Sequence, residues 1–509
     1  MERKLGDAVK AVLKWLFSKS FPNRFLPIDV GRFFCIFNPR KMFKISSKQL
    51  KKIARQGSHV SLVTEIVSDT ETPISLYYKL CENKPYSFLF ESAEQDSRIG
   101  RYSFIGFDPI SVLRFEVGSE ENPIDTIKEE MEKINVVELG AHGRFESGYV
   151  GYFSYETIRH IENVPIPTEK SASGISESIF FLPRVTVVFD HFKHVIYLHY
   201  LMSLSGDIGK NFNEAEKAVF DILDDMKKNV SVPVPCKHSP LVNYSLEPSR
   251  DEFIEIAKKA KSLIEEGEIF QVVLSHSFQA KTKKTHFEIY RDLRRKNPSP
   301  YMYFLRYEDF SIVGASPETL VRVSDGEVLL RPIAGTRPRG KTPKEDFDLE
   351  NDLKKDPKEC AEHMMLVDLG RNDVGRIADL VNVTKMMYVQ RFSTVMHMVS
   401  DVVGRLRRGK NMFDVFKASF PAGTLSGAPK IRAEEIISTL EKRQRGIYGG
   451  AIGYFDFSGD MDFAIAIRTM VCRGEDVFLQ AGAGLVYDSV PEKEHEECLH
   501  KAKSCLFSI

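Results

Sequence analysis

Two pairs of glutamates have the spacing of metal-binding side chains. In "PKECAEHMMLVDLG" Glu359 and Glu362 are three residues apart with His363 beside them, and in "PEKEHEECLHKAKSCL" Glu494 and Glu497 repeat that spacing. Residues three apart share one face of a helix. Two such pairs offer the oxygen ligands that Mg²⁺ takes, namely one or two carboxylates completed by water and substrate oxygens. Two solvated helix faces would show the same spacing.

Two glycine-containing segments are predicted to turn after apolar strands. They are "QAGAGLVYDS" (480–489) and "IAGT" (333–336). Glycine lets the backbone approach a ligand closely, so consecutive N–H groups can point at an anion. Neither segment has the spacing of a phosphate-binding loop or a dinucleotide fingerprint. Simple tight turns stay the alternative.

Three charged or titratable residues stand alone among apolar ones. Arg468 ends the predicted strand "DFAIAIR", where it fits a bidentate carboxylate clamp or a surface ion pair. Glu318 in "GASPETL" would have a raised pKa if buried and could then act as a general acid. His397 in "STVMHMVSDV" fits either an assisting base or a satisfied core histidine.

The elements that would position these residues indicate an α+β protein. Strand-like runs such as "YSFLFES" and "RVTVVFDHFKHVIYLHYL" are bounded by turn residues with few βαβ alternations, which predicts antiparallel sheets flanked by helices. Helices are predicted at 250–267, 357–370 and 491–506. A polar, proline-bearing linker at 231–248 would separate an N-terminal domain (46–230) from a C-terminal one (249–509).

The first 45 residues are predicted to be a basic extension. The first 55 residues hold 14 Lys or Arg against three acids, which fits either an organelle transit peptide or an over-long start. Over the whole chain 71 basic residues balance 71 acidic ones, so neither nucleic acid nor a membrane surface is expected as partner. The seven cysteines form no CxxC pair, which indicates reduced thiols in a cytoplasmic compartment.

Ten motifs stand in order along the chain. They are "GEIFQVVLS", "NPSPYMYFL", "GASPETL", "PIAGTRPRG", "EHMMLVDLGRND", "STVMHMVSDV", "FPAGTLSGAPKIRA", "YGGAIGYF", "AIAIRT" and "QAGAGLVYDSVPEKEHEE". Together they resemble the chorismate-utilising enzymes, and among them the large subunits of anthranilate synthases. The resemblance begins near residue 60 and is dense after 245.

The resemblance implies a two-domain fold that binds chorismate and Mg²⁺. Glu362 and Glu497 would hold the metal, with Glu359 and Glu494 supporting them through water. Glu318 would protonate the departing 4-hydroxyl, and His397 would assist loss of the enolpyruvyl group as pyruvate. The residues that would receive the substrate's oxygens are Gly335, Thr336 (also assigned to catalysis), Tyr448, Arg468, Gly482, Ala483 and Gly484.

Two positions indicate which nucleophile the chain uses. Some related enzymes attack chorismate with a lysine, which stands where this chain has Ala334. Others use a lysine to activate water, and it stands where this chain has Gln271. With neither lysine present, the resemblance implies ammonia as the nucleophile. No cysteine sits in a "GxCxG" turn, so a separate glutamine amidotransferase subunit would supply the ammonia, in a heterotetramer of two large and two small subunits.

A regulatory element is also implied. "FLFESAE" resembles the segment that binds inhibitory L-tryptophan, with Glu91 and Ser92 kept and Phe90 replacing a leucine, in concert with Pro300, Tyr301 and Met302. The implied location is cytoplasmic, or plastid if residues 1–45 are a transit peptide. Two other interpretations stay open, namely a para-aminobenzoate-branch enzyme with an atypical loop, and a catalytically silent protein of this fold that senses tryptophan or recruits a partner.

Overall fold

The structure, a computed structural model, describes residues 42–43, 45–92, 100–137, 139, 144–230, 232–233, 242–392 and 395–509. The predicted basic extension (1–45) therefore lies outside the described residues except for positions 42, 43 and 45. Of the predicted linker (231–248), residues 231 and 234–241 also lie outside them.

Twenty-one strands make up the sheet structure of the described residues. In chain order they are β1 (His59–Val67), β2 (Ser87–Glu91), β3 (Tyr102–Phe115), β4 (Val136–Val137), β5 (Gly148–Phe153), β6 (Ser178–Asp190), β7 (Val195–Ser203), β8 (Tyr244–Glu247), β9 (Gln271–Lys281), β10 (Tyr301–Arg306), β11 (Ser311–Ser316), β12 (Thr319–Ser324), β13 (Glu327–Leu330), β14 (Ile333–Pro338), β15 (Ala378–Arg391), β16 (Val395–Leu406), β17 (Gly427–Ala428), β18 (Ala451–Asp456), β19 (Met461–Ile465), β20 (Thr469–Arg473) and β21 (Asp476–Leu485).

The ladders between these strands are antiparallel except for the short β1–β4 pair, which confirms the predicted sheet type. From β6 one arm runs through β3, β2, β10, β11, β20, β21 and β9. The other runs through β5, β18, β19, β12 and β13 to β16. Strand β16 also pairs with β14 and β15.

Two ladders join strands from the two predicted domains. Strand β2 pairs with β10 from Ser87↔Arg306 to Glu91↔Met302. Strand β5 pairs with β18 along its whole length. Hydrogen bonds therefore cross between the N-terminal and C-terminal parts of the chain, and the domain boundaries themselves stay a prediction.

Eleven α-helices cover this sheet structure in the described residues. They are α1 (Ser47–Ile53), α2 (Pro73–Cys81), α3 (Pro123–Glu132), α4 (Ile208–Met226), α5 (Arg250–Glu265), α6 (His286–Lys296), α7 (Pro343–Lys355), α8 (Pro357–Gly375), α9 (Met412–Ser419), α10 (Lys430–Glu441) and α11 (Pro491–Leu506). Within these residues, none of the helices combines the length and apolarity that crossing a bilayer requires.

The three helices predicted from the sequence are confirmed, and local signals explain their starts. A capping box of Ser249 and Glu252 opens α5. Both α8 and α11 begin with proline, which suits a first turn because its missing N–H has no intrahelical acceptor there. Helix α8 continues five residues beyond the predicted end, to Gly375, because its last turns pack against β15 and β16.

A cluster of phenylalanines fixes the strands beneath the candidate site. The ring centroids of Phe153 and Phe180 are 4.5 Å apart, those of Phe153 and Phe416 are 4.6 Å apart, and those of Phe455 and Phe463 are 4.8 Å apart. Each ring is almost fully buried. Burying one such side chain stabilises a fold by about 1.5–3 kcal/mol, so this cluster holds β5, β18 and β19 in a fixed register.

Candidate functional site

Glu318 is a buried carboxyl group just before β12. It lies in the two-residue connection between β11 and β12, only 6% of its surface is exposed, and its Oε1 accepts a hydrogen bond of 3.0 Å from the Thr424 hydroxyl. Burial raises the pKa of Glu318 to about 8, although the Thr424 hydrogen bond and the charges of Lys501 and Arg468 act in the opposite direction. At neutral pH this carboxyl group is therefore mostly protonated and can donate a proton.

His397 faces the same region from β16. Its Nδ1 lies 2.9 Å from the Thr336 hydroxyl and 3.2 Å from the Gly335 carbonyl oxygen. The carbonyl can only accept, so we assign the proton to Nδ1 and leave Nε2 with a lone pair. Burial lowers the pKa of His397 to about 4, helped by the charge of Arg468. Nε2 is buried and has no hydrogen-bond partner among the described residues.

Gly335 makes the contact with His397 through a β-bulge. The register between β14 and β16 shifts between Ala334 and Thr336, and Gly335 has φ +71°, a conformation that favours glycine. A Cβ at this position would lie 2.9 Å from Leu353 Cδ1 and 3.0 Å from Glu359 Oε2. The bulge therefore turns the Gly335 carbonyl toward His397 in a place where a side chain would be strained.

Arg468 provides an unpaired guanidinium group next to Glu318 and His397. It lies between β19 and β20 with φ +50°, an uncommon conformation for a residue with a side chain. No hydrogen bond or ion pair engages its side chain within the part of the chain that the structure describes. Burial lowers its pKa. We call Glu318, Thr336, His397 and Arg468 the acid–histidine centre.

The glycines of the two segments predicted as turns lie in strands instead, and "QAGAGLVYDS" turns only after them, at Tyr487 and Asp488. Gly482, Ala483 and Gly484 are in β21 and pair with Ser275, Leu274 and Val273 of β9, while "IAGT" begins β14. The prediction of turns was wrong because these glycines serve close packing inside a sheet.

Glycine is needed in β21 because side chains from neighbouring elements approach it. A Cβ on Gly482 would lie 2.5 Å from the Tyr448 hydroxyl oxygen, and one on Gly484 would lie 2.7 Å from Gln271 Nε2. The Gly482 carbonyl accepts a 2.9 Å hydrogen bond from Lys501 Nζ, so it points away from β9. In an antiparallel ladder the N–H of a residue points to the same side as its carbonyl. The edge of β21 therefore directs backbone N–H groups away from the ladder and toward the side where Lys501 lies.

Gln271 and Ala334, the two positions that indicate the nucleophile, both lie in strands, and Gln271 lies beside this edge. Gln271 begins β9 opposite Ala428, and its Oε1 is buried without a hydrogen-bond partner among the described residues. Ala334 pairs with Met398 in the β14–β16 ladder. A neutral amide and a methyl group can neither attack a substrate nor activate water.

Sequence reasoning missed a buried ion pair behind the acid–histidine centre. Arg445 donates two hydrogen bonds of 2.8 Å to Glu441 and others to the carbonyls of Leu425 (2.8 Å) and Val273 (2.7 Å). Leu425 adjoins Thr424, which holds Glu318, and the Arg445 guanidinium also lies 5.5 Å from the centre of the Tyr448 ring. The charged segment "EKRQRG" is typical of a protein surface. The one signal in the sequence that Arg445 could be buried is the position of this segment just before "IYGG".

The two predicted metal ligands, Glu362 and Glu497, and the two glutamates predicted to support them, Glu359 and Glu494, form an acidic face on α8 and α11. Burial is the main cause that raises the pKa of Glu362, and the charges of Glu359, Glu494 and Glu497 add to it. Burial, and then Glu497, likewise raise the pKa of Glu494. The two helices thus bring both glutamate pairs within electrostatic reach of each other.

Basic side chains balance part of this charge. Lys358 lies 3.7 Å from Glu362, Lys501 lies 2.7 Å from Glu497, and Arg337 contacts Glu359. Among the described residues no three acidic, histidine or cysteine side chains converge closely enough to form a metal centre alone. The donor set suits a divalent cation whose remaining ligands are water and substrate oxygens, and such a cation would relieve the repulsion between the carboxylates.

The predicted regulatory residues line one cavity. Glu91 and Ser92 at the end of β2 and Pro300, Tyr301 and Met302 at the start of β10 surround about 60 Å³, with Tyr454 and Asp462 opposite. Glu91 accepts hydrogen bonds from Arg294 and from the Tyr290 hydroxyl. The β2–β10 ladder pairs Glu91 with Met302, which explains why two segments far apart in sequence meet here.

Known proteins are similar to this chain in both sequence and fold. The chorismate binding enzyme family matches residues 85–507. Anthranilate synthase component 1 of Aquifex aeolicus is 42% identical over 484 residues, which cover 91% of this chain and 97% of that protein. The crystal structure of anthranilate synthase component I from Streptococcus pneumoniae TIGR4 is similar with a TM-score of 0.70 and 36% identity, covering 86% of this chain and 98% of that one. The menaquinone-specific isochorismate synthase of Escherichia coli, at 18% identity and a TM-score of 0.68, shares the fold.

Proposed function

Because the chain belongs to the chorismate-binding enzyme family, and within it to the anthranilate synthase component 1 proteins, we propose that it converts chorismate and ammonia to anthranilate and pyruvate. The observation that carries this assignment to particular residues is the pairing of a protonated Glu318 with a neutral His397. A general acid and a general base whose environments push their pKa values apart can serve two successive proton transfers.

In the first step ammonia adds at C2 of the ring while the 4-hydroxyl leaves as water. Glu318 supplies the proton that this leaving group needs, and the Thr424 hydroxyl orients the carboxyl group. In the second step His397 Nε2 accepts the C2 proton, the bond between C3 and the enolpyruvyl oxygen breaks, and the ring becomes aromatic. The enolpyruvyl group leaves as an enolate, which takes up a proton to become pyruvate. The Nδ1 contacts with Gly335 and Thr336 hold the imidazole in the tautomer that this step requires.

The two carboxylates of chorismate need cationic and N–H partners. Arg468 is suited to one of them because its guanidinium group has no other partner among the described residues. The Tyr448 hydroxyl, Thr336 and the edge N–H groups of Gly482 and Gly484 would receive further oxygens, with Ala483 and Gly335 providing close backbone approach.

The acidic face is proposed as the Mg²⁺ site of the enzyme. Glu362 and Glu497 would hold the ion, and Glu359 and Glu494 would support it through water. When bound, Mg²⁺ neutralises the carboxylate on the substrate ring. Lys358 and Lys501 each form one ion pair with these glutamates. Because lysine side chains are flexible, both can move away when the ion binds.

Ammonia is proposed to come from a separate glutamine amidotransferase subunit, in an assembly of two large and two small subunits. The support is twofold. Ala334 and Gln271 provide no nucleophile or base of their own, and none of the seven cysteines lies in the turn that such amidotransferases use. The cavity between β2 and β10 is proposed to take L-tryptophan as feedback inhibitor, since it combines aromatic walls with Glu91 and Asp462.

One assay tests the proposed function against its rivals. The purified chain is incubated with chorismate, MgCl₂ and ammonium chloride, and the products are separated and identified. Fluorescent anthranilate with equimolar pyruvate supports the proposal. Formation of 4-amino-4-deoxychorismate would instead favour a para-aminobenzoate-branch enzyme, isochorismate would refute the choice of nucleophile, and no turnover would favour a protein that only senses tryptophan.

A further inference from the structure

Two tyrosines of β10 connect the β2–β10 cavity with the acid–histidine centre. Tyr301 and Tyr303 both line that cavity, and because they are two residues apart they lie on one face of the strand. The Tyr301 hydroxyl is 2.9 Å from the Thr319 hydroxyl, and the Tyr303 hydroxyl is 2.5 Å from that of Thr469. Each of these threonines directly follows a residue of the acid–histidine centre along the chain.

The first link joins Tyr301 to the segment that carries Glu318. The Tyr301 hydroxyl donates a 2.8 Å hydrogen bond to Asp462 Oδ1. Its lone pairs then accept from the Thr319 hydroxyl and, at 3.0 Å, from Arg322 Nη2. Arg322 and Asp462 also form a largely buried ion pair at 2.8 Å. Because all of these groups are engaged, a displacement of Tyr301 must break a hydrogen bond or carry Thr319 with it.

A β-bulge beside Glu318 makes this position responsive to such a displacement. The register between β12 and β19 shifts between Thr319 and Val321. A bulge interrupts the regular ladder and alters the direction of nearby side chains. On the other side, the Glu318 N–H donates to Ser316 Oγ at 3.3 Å, and Ser316 pairs with Tyr301 in the β10–β11 ladder. Contacts on both sides of Glu318 therefore depend on the position of Tyr301.

The second link joins Tyr303 to Arg468. The Thr469 hydroxyl donates to the Ile467 carbonyl at 2.9 Å, so it accepts the hydrogen bond from Tyr303. This chain of contacts holds the residues on both sides of Arg468, whose backbone has φ +50°. Such a conformation persists only where the surrounding structure enforces it. A movement of Tyr303 therefore changes the constraint on Arg468.

The cavity must widen before it can hold an amino acid. As the described residues enclose it, it measures about 60 Å³, whereas sites for small molecules typically measure about 300–1,000 Å³. Protein interiors are close-packed, so a ligand enters only when lining side chains move. Asp462 lines the cavity together with both tyrosines. An ammonium group that pairs with its carboxylate competes for it with the Tyr301 hydroxyl and Arg322.

We propose that the two β10 tyrosines are positioning residues that transmit occupancy of the β2–β10 cavity to the acid–histidine centre. Through Thr319, a ligand in the cavity displaces Glu318 from the 4-hydroxyl of chorismate, which lowers kcat. Through Thr469, it releases Arg468 from its enforced conformation, which weakens the binding of chorismate. This coupling rests on the proposed function for the identity of its two ligands, chorismate and L-tryptophan.

Calorimetric titration of L-tryptophan, with and without saturating chorismate, measures the coupling at equilibrium. Mg²⁺ is present and ammonia is omitted, so no anthranilate forms. In the wild type, chorismate should raise the Kd of tryptophan by about 5–150-fold, the usual range of coupling between two sites. Tyr303→Phe and Thr469→Val should each reduce this factor by about fivefold or more, while the Kd of tryptophan alone changes by no more than about threefold.

Tyr454→Phe is the matched control for both links. Tyr454 is a third tyrosine of the cavity lining and, among the residues described, shares no hydrogen bond with Thr319 or Thr469. This variant should keep the wild-type factor. The proposal would be overturned by wild-type tryptophan binding that does not respond to chorismate, or by a factor that Tyr303→Phe and Thr469→Val leave unchanged. A chain that passes this test but makes no anthranilate would refute the proposed reaction alone.

Inhibition of turnover tests the Tyr301 link separately. With chorismate and ammonium saturating, tryptophan at about tenfold excess over its Kd under those conditions should lower the kcat of the wild type and of Tyr454→Phe by about 10-fold. In Tyr301→Phe and Thr319→Val the same addition should lower kcat by less than about twofold, although tryptophan still binds. Structural damage would lower kcat with and without tryptophan alike. An equal fractional loss in all four proteins would show that Tyr301 only packs against the cavity.

Discussion

The acid–histidine centre and the acidic face handle charge in opposite ways. Glu318 and His397 are buried, each 6% exposed, and burial keeps both neutral at pH 7. The side chains of Glu362 and Glu497 are 29% and 50% exposed, and lysines balance their charge. The comparison separates groups that are set in advance for proton transfer from groups that must exchange partners when a ligand arrives. Substitutions in the two regions should therefore fail differently.

The largest loss is expected from Glu318→Gln. The amide cannot donate the proton that the leaving group needs, so kcat with ammonium should fall by about 10²–10⁴-fold while the fold is retained. The measurement is steady-state anthranilate formation at saturating chorismate, with circular dichroism as the check on folding. Glu327→Gln, an exposed glutamate on β13, is the matched control and should keep wild-type kcat. A loss of less than about threefold would remove Glu318 from the role of general acid.

His397→Met should separate the two chemical steps. Without an acceptor at Nε2, ammonia still adds to the ring but pyruvate release slows by about 10²-fold or more, so an amino intermediate accumulates. Chromatography of quenched samples would follow chorismate, intermediate and anthranilate together. Release of pyruvate at the wild-type rate in this variant would show that His397 is a core residue.

Glu362→Gln should act through the metal and leave the acid–histidine centre intact. We expect the Mg²⁺ concentration for half-maximal activity to rise by about 10-fold or more, with kcat partly recovered at high Mg²⁺. A magnesium titration of the initial rate measures this shift. Glu496→Gln, an exposed neighbour of Glu497 on α11, should titrate like the wild type. If Glu362→Gln lost activity that no Mg²⁺ concentration restored, the distinction between the two regions would fail.

The smallest effect on turnover is expected from Glu91→Gln in the β2–β10 cavity. The substitution weakens the contacts with Arg294 and Tyr290 and removes a negative charge from the cavity wall. Inhibition by L-tryptophan should weaken by about 10-fold, the loss expected from one charge-assisted hydrogen bond, while kcat changes little. Inhibition curves at fixed chorismate measure the change, and an unchanged inhibition constant would move the tryptophan site elsewhere.

Elements whose signals lie within one segment of the sequence were predicted correctly. Features that depend on contacts between distant segments were not. Helices α5, α8 and α11 were predicted because their caps and periodicity are local. The glycines of β21 look like a turn in the sequence because the side chains that require glycine there, those of Tyr448 and Gln271, come beside them only in the folded chain. Arg445 was missed because a buried arginine looks like a surface one until Glu441 and two backbone carbonyls are seen around it.

The raised pKa of Glu318 should also be visible in the pH dependence of the free energy of unfolding. Its folded pKa is raised above the ordinary carboxyl value, so this group's pH-dependent contribution to stability is fully present below that ordinary value and is lost as pH rises toward about 8. Glu318→Gln should flatten this part of the stability profile.

The dependence of kcat on pH tests the account most directly. With chorismate, Mg²⁺ and free ammonia kept saturating at every pH, wild-type kcat should be level below neutrality and fall as pH rises through about 8, where Glu318 loses its proton. The residual activity of Glu318→Gln should lack this descent. A wild-type profile that stays level through pH 9, or one that already declines near the ordinary pKa of an exposed glutamate, would contradict a buried, protonated Glu318 as the acid of the reaction.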